Sequence, residues 1–239
     1  LAVLELPRRE VDGSLQGRDE GPGTVLSSRA YRVRTSYPVV AYQFNPLGNV
    51  GVFSNDASLL LPTAALAADG KASRGAPYVV IGWPQTIAAT KDPKTNFNTN
   101  LRAFLTLVGT REATEVKVTL KADIVADAAG LIGARKKGET VTFKLNPFDV
   151  LNLETDGFGA DFTGSRIEAD KPVVVYSGSE ASDVPDFADL SLRKCCADHL
   201  EHQLFPTPTL GTSFIALTTP TRSQALKAAG AVIAAKTEN

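Results

Sequence analysis

A pattern that recurs at long range constrains this chain more than any single residue does. Tyr37-Pro38-Val39-Val40-Ala41-Tyr42 is matched by Lys171-Pro172-Val173-Val174-Val175-Tyr176, with Pro38 and Pro172 lying 134 positions apart. The match runs on in order: residues 55–63 parallel 197–207, both ending in Pro-Thr, and residues 77–81 parallel 212–217. Leu107-Val108-Gly109-Thr110 then lines up with Ala234-Ala235-Lys236-Thr237. A long-period match of this kind means one structural unit used twice. The chain accordingly divides into a leader or exposed loop over residues 1–30, a first module over 31–165 and a second over 166–239. The second breaks off where the first enters a turn, so it is read as incomplete, in a parent protein that continues past Asn239.

Each module is expected to be all-β, an antiparallel sandwich-like unit. Runs rich in Val, Thr, Phe and Tyr at 31–34, 39–44, 78–83, 103–109, 115–120, 140–145, 150–154, 166–169 and 173–177 are bounded by Gly, Pro and Asn, and read as strands. The short links 110–114, 146–149 and 170–172 read as hairpin turns. Helical periodicity is confined to 198–204 and 223–235. The two Pro-Val-Val strands carry no polar face, because Val39 and Ala41, or Val173 and Val175, alternate with Val40 and Tyr42, or Val174 and Tyr176. Both are therefore expected to be core strands covered on each side.

Composition removes several function classes. With 25 Lys+Arg against 26 Asp+Glu the formal net charge is −1, so no global basic field draws in nucleic acid. No stretch reaches the roughly 18 consecutive apolar residues of a membrane helix, and no membrane span is expected. At 43% hydrophobic and 21% charged residues the chain has enough apolar surface to fold.

Chemistry-bearing residues concentrate in Cys195-Cys196-Ala197-Asp198-His199-Leu200-Glu201-His202, which holds both cysteines and both histidines. Asp198, His199 and His202, with Glu180 and Asp183 from the acidic run before them, are the candidate ligands for zinc or calcium. Adjacent cysteines suit zinc poorly, since closed sites space their paired thiolates by two to four residues. EF-hand calcium loops likewise use alternate positions rather than every third one. A structural role is preferred for the cluster, with no cofactor. Cys195 and Cys196 are expected to close a strained vicinal disulfide that locks a tight turn. A hydrolase or metal enzyme centred on His199 is the weakest reading, for no Gly-x-Ser-x-Gly elbow occurs. Residues 133–138 imitate a phosphate loop, but Glu139 stands where lysine is required. No catalytic residue is assigned.

Longer segments carry a resemblance. Residues 38–47 (PVVAYQFNPL), 52–62 (VFSNDASLLLP), 163–173 (TGSRIEADKPV) and 198–204 (DHLEHQL) look like the signature of the IgG-Fc-binding protein N-terminal domain family. The paired cysteines and the Ala-Asp-His-Leu-Glu stretch look like its bacterial members. The resemblance implies a non-enzymatic protein, secreted or at the cell surface, that binds or adheres through protein or glycan contacts. The alternative is a structural subunit of an extracellular assembly, in which the partners are copies of the same protein. Animal members tend to place a cysteine around residues 180–185 as partner to one before the Asp-His-Leu segment. Ala181 and Ser182 stand there instead, which leaves Cys195 and Cys196 to each other, to a missing part of the protein, or unpaired.

Overall fold

The computed structural model describes residues 2–5, 23–28, 30–45, 56–69, 73–87, 100–184, 189–192 and 197–216. The chain forms two units, Leu1–Thr209 and Leu210–Asn239. In the second, the Phe214 ring stands over Gly211, 3.3 Å from where a Cβ would lie. The strands of the first, in chain order, are β1 (Val25–Ser27), β2 (Ala41–Asn45), β3 (Asp56–Leu60), β4 (Tyr78–Val79), β5 (Thr86–Ile87), β6 (Asn100–Leu101), β7 (Ala103–Gly109), β8 (Thr114–Thr119), β9 (Thr140–Leu145), β10 (Val150–Glu154), β11 (Arg166–Ala169), β12 (Val173–Ser182) and β13 (Asp198–Gln203).

They build a sheet in the order β1-β10-β7-β12-β13, a second in the order β4-β11-β8-β9, and two hairpins, β2-β3 and β5-β6. Every pairing is antiparallel. Period-2 alternation sets the layers: Leu105, Leu107, Leu151, Leu153, Val173 and Val175 of the larger sheet share one buried cluster with Tyr78, Val116, Val118, Leu145 and Ile167 of the smaller. On β8 the intervening Glu115 and Lys117 are exposed, so that face meets water. Tyr78 crosses the core, and its hydroxyl donates to the Val173 carbonyl at 2.8 Å. Burial pushes that phenol's pKa up. The all-β, antiparallel, sandwich-like expectation holds.

Four local expectations are corrected. The links 110–113, 146–149 and 170–172 are not hairpin turns, because β7 and β8, β9 and β10, and β11 and β12 belong to different sheets. Each carries the chain from one layer to the other at the same end of the sandwich, where they lash together. The Ala113 N–H donates to Asn146 Oδ1 at 3.1 Å, the Glu115 N–H to Asp170 Oδ1 at 2.9 Å, and Lys171 Nζ to the carbonyls of Glu112 and Ala113. Gly109 is required here, since a Cβ on it would lie 2.2 Å from the Asn146 carbonyl. Residues 31–34 lie outside any strand. Residues 198–203, expected to be helical, are β13: pairing with β12 satisfies a backbone that six polar-rich residues cannot hold as an isolated helix. Finally, the two Pro-Val-Val stretches differ. Val173 and Val175 are fully buried between β7 and β13, whereas Val39 is 62%, Val40 72% and Tyr42 58% exposed.

Candidate functional site

At the end of the sandwich opposite the three links, β12 runs past the smaller sheet and pairs with β13. The register sets Tyr176 opposite Gln203, Ser177 opposite His202, Gly178 opposite Glu201 and Ser179 opposite Leu200, then slips by a bulge before Ser182 meets Asp198. Cross-strand partners share a face, so Ser177, Leu200 and His202 continue the side that carries Val173 and Val175. Glu201 and Gln203 share the other side with Tyr176 and Gly178. Gly178 is obligatory: a Cβ would lie 2.0 Å from the Leu200 carbonyl oxygen and 2.5 Å from Phe104 Cζ.

The outer edge of β13 is closed by side chains of the β2-β3 hairpin. The Glu201 N–H donates to Asp56 Oδ2 at 2.6 Å and the Gln203 N–H to Ser58 Oγ at 2.7 Å. In return the Leu61 N–H donates to Gln203 Oε1 at 2.9 Å. Gln43 Nε2 donates to Glu201 Oε1 at 2.5 Å and Asn45 Nδ2 to Glu201 Oε2 at 3.1 Å. His199 joins this network. Its Nε2 lies 3.2 Å from Asn45 Nδ2 and 3.8 Å from Glu201 Oε2, its Nδ1 lies 3.3 Å from the Glu180 carbonyl, and its ring stacks at 6.0 Å on Phe104. Burial alone would lower the imidazole pKa, but the Glu201 hydrogen bond and charge, the Glu180 carbonyl and Asp56 outweigh it, and the net displacement is upward.

On the core-facing side, the stretch after β4 arches over β12 and β13 and leaves a cleft of about 210 Å³ lined by Ile81, Gly82, Trp83, Ser177, Leu200 and His202 among others. Trp83 is fixed through Nε1, which donates to the Asp183 carbonyl at 2.8 Å. Asp183 Oδ2 accepts from Thr86 Oγ1 at 2.9 Å. The Gly82 N–H donates to Thr163 Oγ1 at 2.9 Å, and a Cβ on Gly82 would stand 3.0 Å from Asp161 Oδ1 and 3.1 Å from Ser177 Oγ. That Ser177 hydroxyl is buried and has no hydrogen-bond partner among the described residues. His202 is exposed at the mouth, with the Phe205 ring 6.0 Å from its own.

The five residues considered as metal ligands are not brought to one point. Glu180 Oε2 accepts from the Arg102 N–H at 2.8 Å, Asp183 serves Thr86, and Asp198 is exposed beside the bulge. His199 and His202 lie on opposite faces of β13. Among the described residues no three of His, Cys, Asp and Glu stand where they could hold one ion. Cys195 and Cys196, with the vicinal bond expected of them, lie outside the described residues. The cleft itself escaped sequence reasoning. Trp83 is the one tryptophan of the chain and the available signal, but its partners come from residues about 100 positions away.

Among known proteins, the profile of the family described as IgGFc binding protein matches residues 56–238. No curated protein matches the chain. A solved structure described as the crystal structure of Thermotoga maritima 1070 aligns with a TM-score of 0.31 at 10% identity, covering 57% of this chain and 94% of that one.

Proposed function

The chain belongs to the IgGFc binding protein family, and from that premise we propose that it is a non-catalytic binding module of a secreted or surface protein. It takes its partner at the cleft beside Trp83. What supports this reading is the half-buried indole with its N–H already committed to the Asp183 carbonyl, so that the ring is presented in a fixed pose. Fixed aromatic rings at the rim of small concave sites are favoured binding anchors, since little side-chain entropy remains to be lost. A space of about 210 Å³ takes one side chain of a protein ligand or one sugar ring, not a drug-sized molecule. The partner is protein in our reading, with glycan as the competing occupant. In this reading His199 serves the network that closes β13, together with Asn45, Glu201, the Glu180 carbonyl and Phe104.

The test is binding of the full chain to immobilised immunoglobulin Fc and, in parallel, to a glycan array, each repeated with Trp83→Ala. The expected result is binding to one of the two surfaces, weakened at least about 10-fold by the substitution. Binding to neither surface, or binding that Trp83→Ala leaves unchanged, would overturn the assignment of the cleft.

A further inference from the structure

Several N–H groups around the cleft beside Trp83 are already spent inside the fold. Trp83 Nε1 donates to the Asp183 carbonyl and the Gly82 N–H to Thr163 Oγ1. The N–H groups of Ala57 and Glu201 donate to Asp56, at 2.7 Å to Oδ1 and 2.6 Å to Oδ2. Acceptors remain. Asp56 belongs to the lining, and a carboxylate offers about four lone-pair sites, so these two bonds fix its position and leave capacity on each oxygen. Among the described residues no cation forms an ion pair with it. Ser177, only 5% exposed, brings to the same lining a hydroxyl with no partner among the described residues, and a buried polar group left unsatisfied is costly. Ala57, Leu200 and Ile81, the last 72% exposed, give the cleft apolar walls.

Resting on the binding reading above, we propose that the guest of this cleft is an arginine side chain of a protein partner. The cleft asks its guest for positive charge and donors to meet Asp56, an N–H for the Ser177 hydroxyl, a flat face for the indole and an aliphatic stem for the apolar walls. A guanidinium is planar and permanently charged, carries five N–H donors and no acceptor, matches a carboxylate in geometry and stacks on aromatic faces. Its methylene stem lies readily along apolar surface. Lysine offers a compact point charge without the planar face, and a sugar hydroxyl brings no charge to Asp56 and needs acceptors matched with donors. The space of about 210 Å³ admits one such side chain. The partner therefore presents an exposed arginine, and the contact weakens as salt is raised.

Trp83 is the one tryptophan of the chain, so its emission, excited selectively over tyrosine, reports on this cleft. The full chain is titrated with Nα-acetyl-arginine amide into the millimolar range at constant ionic strength. Parallel titrations use the uncharged isostere Nα-acetyl-citrulline amide, Nα-acetyl-lysine amide and methyl glucoside. A saturable change is expected with the arginine compound, with binding of each of the other three at least about 10-fold weaker. Asp56→Asn keeps the size of the side chain and an acceptor for the Glu201 N–H. It is expected to weaken arginine binding at least about 10-fold with an unchanged circular dichroism spectrum. No saturation with the arginine compound, equal binding of any of the other three, or a folded Asp56→Asn chain that binds undiminished would sink the proposal. If that variant does not fold, the comparison of arginine with citrulline on the wild type decides. Fc or glycan binding that depends on Trp83 is measured apart from these titrations, so the cleft survives where only the arginine assignment fails.

Discussion

His199 holds its proton more tightly in the fold than in the unfolded chain, because the Glu201 carboxylate and the Glu180 carbonyl outweigh its burial. A raised folded pKa stabilises fully below the unfolded value of about 6.5, and the benefit disappears as pH rises through the folded value. Thermal stability is therefore expected to fall above about pH 6.5, and His199→Gln to flatten that fall when melting is followed across pH. Arg102 makes a second residue-scale case. It lies 3.8 Å from the buried Glu154 and also donates to the Thr155 carbonyl. Burial raises the Glu154 pKa and Arg102 opposes the rise, so Arg102→Met leaves a buried carboxylate without its cation and should cost about 3–5 kcal/mol in urea denaturation. Gly178→Ala, with no room against Leu200 and Phe104, should cost about 1–3 kcal/mol in the same measurement. Nothing in the local sequence marks Gly178 as special, for the backbone that crowds it arrives from β13.

β13 shows what a strand gains when its edge is closed by side chains rather than by a ladder. Replacing Asp56 or Ser58 by alanine removes the acceptor of the Glu201 or Gln203 N–H, at an expected cost of about 1–3 kcal/mol each. Hydrogen exchange should quicken at that one amide first. This element was the least legible in the sequence: Asp198-His199-Leu200-Glu201-His202-Gln203 has neither the β-branched residues nor the alternation of a half-buried strand, and its strand state is imposed by β12 and the β2-β3 hairpin. β7, β9, β10 and β11, in contrast, fall where their Val, Thr, Phe and Leu runs place them. The three sheet-to-sheet links were misread because a short polar link tells how soon the chain turns, and not whether it turns within a layer or between layers. The Pro-Val-Val pair was half legible. Its apolar character is real in both copies, but burial depends on a second neighbouring strand, which β12 has and β2 lacks among the described residues.

At the scale of the whole molecule, β12 is the strand on which the larger sheet depends, with β7 on one side and β13 on the other. A chain ending at residue 172 leaves β7 with one neighbour and uncovers Leu105, Leu107, Tyr78 and Ile167, and it should bind a hydrophobic dye and melt without the cooperative transition expected of the intact sandwich. The β7–β12 pairing also joins residues about 70 positions apart, a non-local contact of the kind that slows folding as a whole.

The layers are joined by links of three and four residues at one end, over 110–113, 146–149 and 170–172, and by the longer stretch 155–165 at the other, where residues 80–87 also lie. An insertion at the tight end disturbs the hydrogen bonds that tie the three links to one another. The long stretches at the opposite end can lengthen, shorten or change composition while the core stays as it is. In the binding reading proposed above, relatives that keep this sandwich can change what they recognise at the rim that holds Trp83 while the buried layers stay as they are.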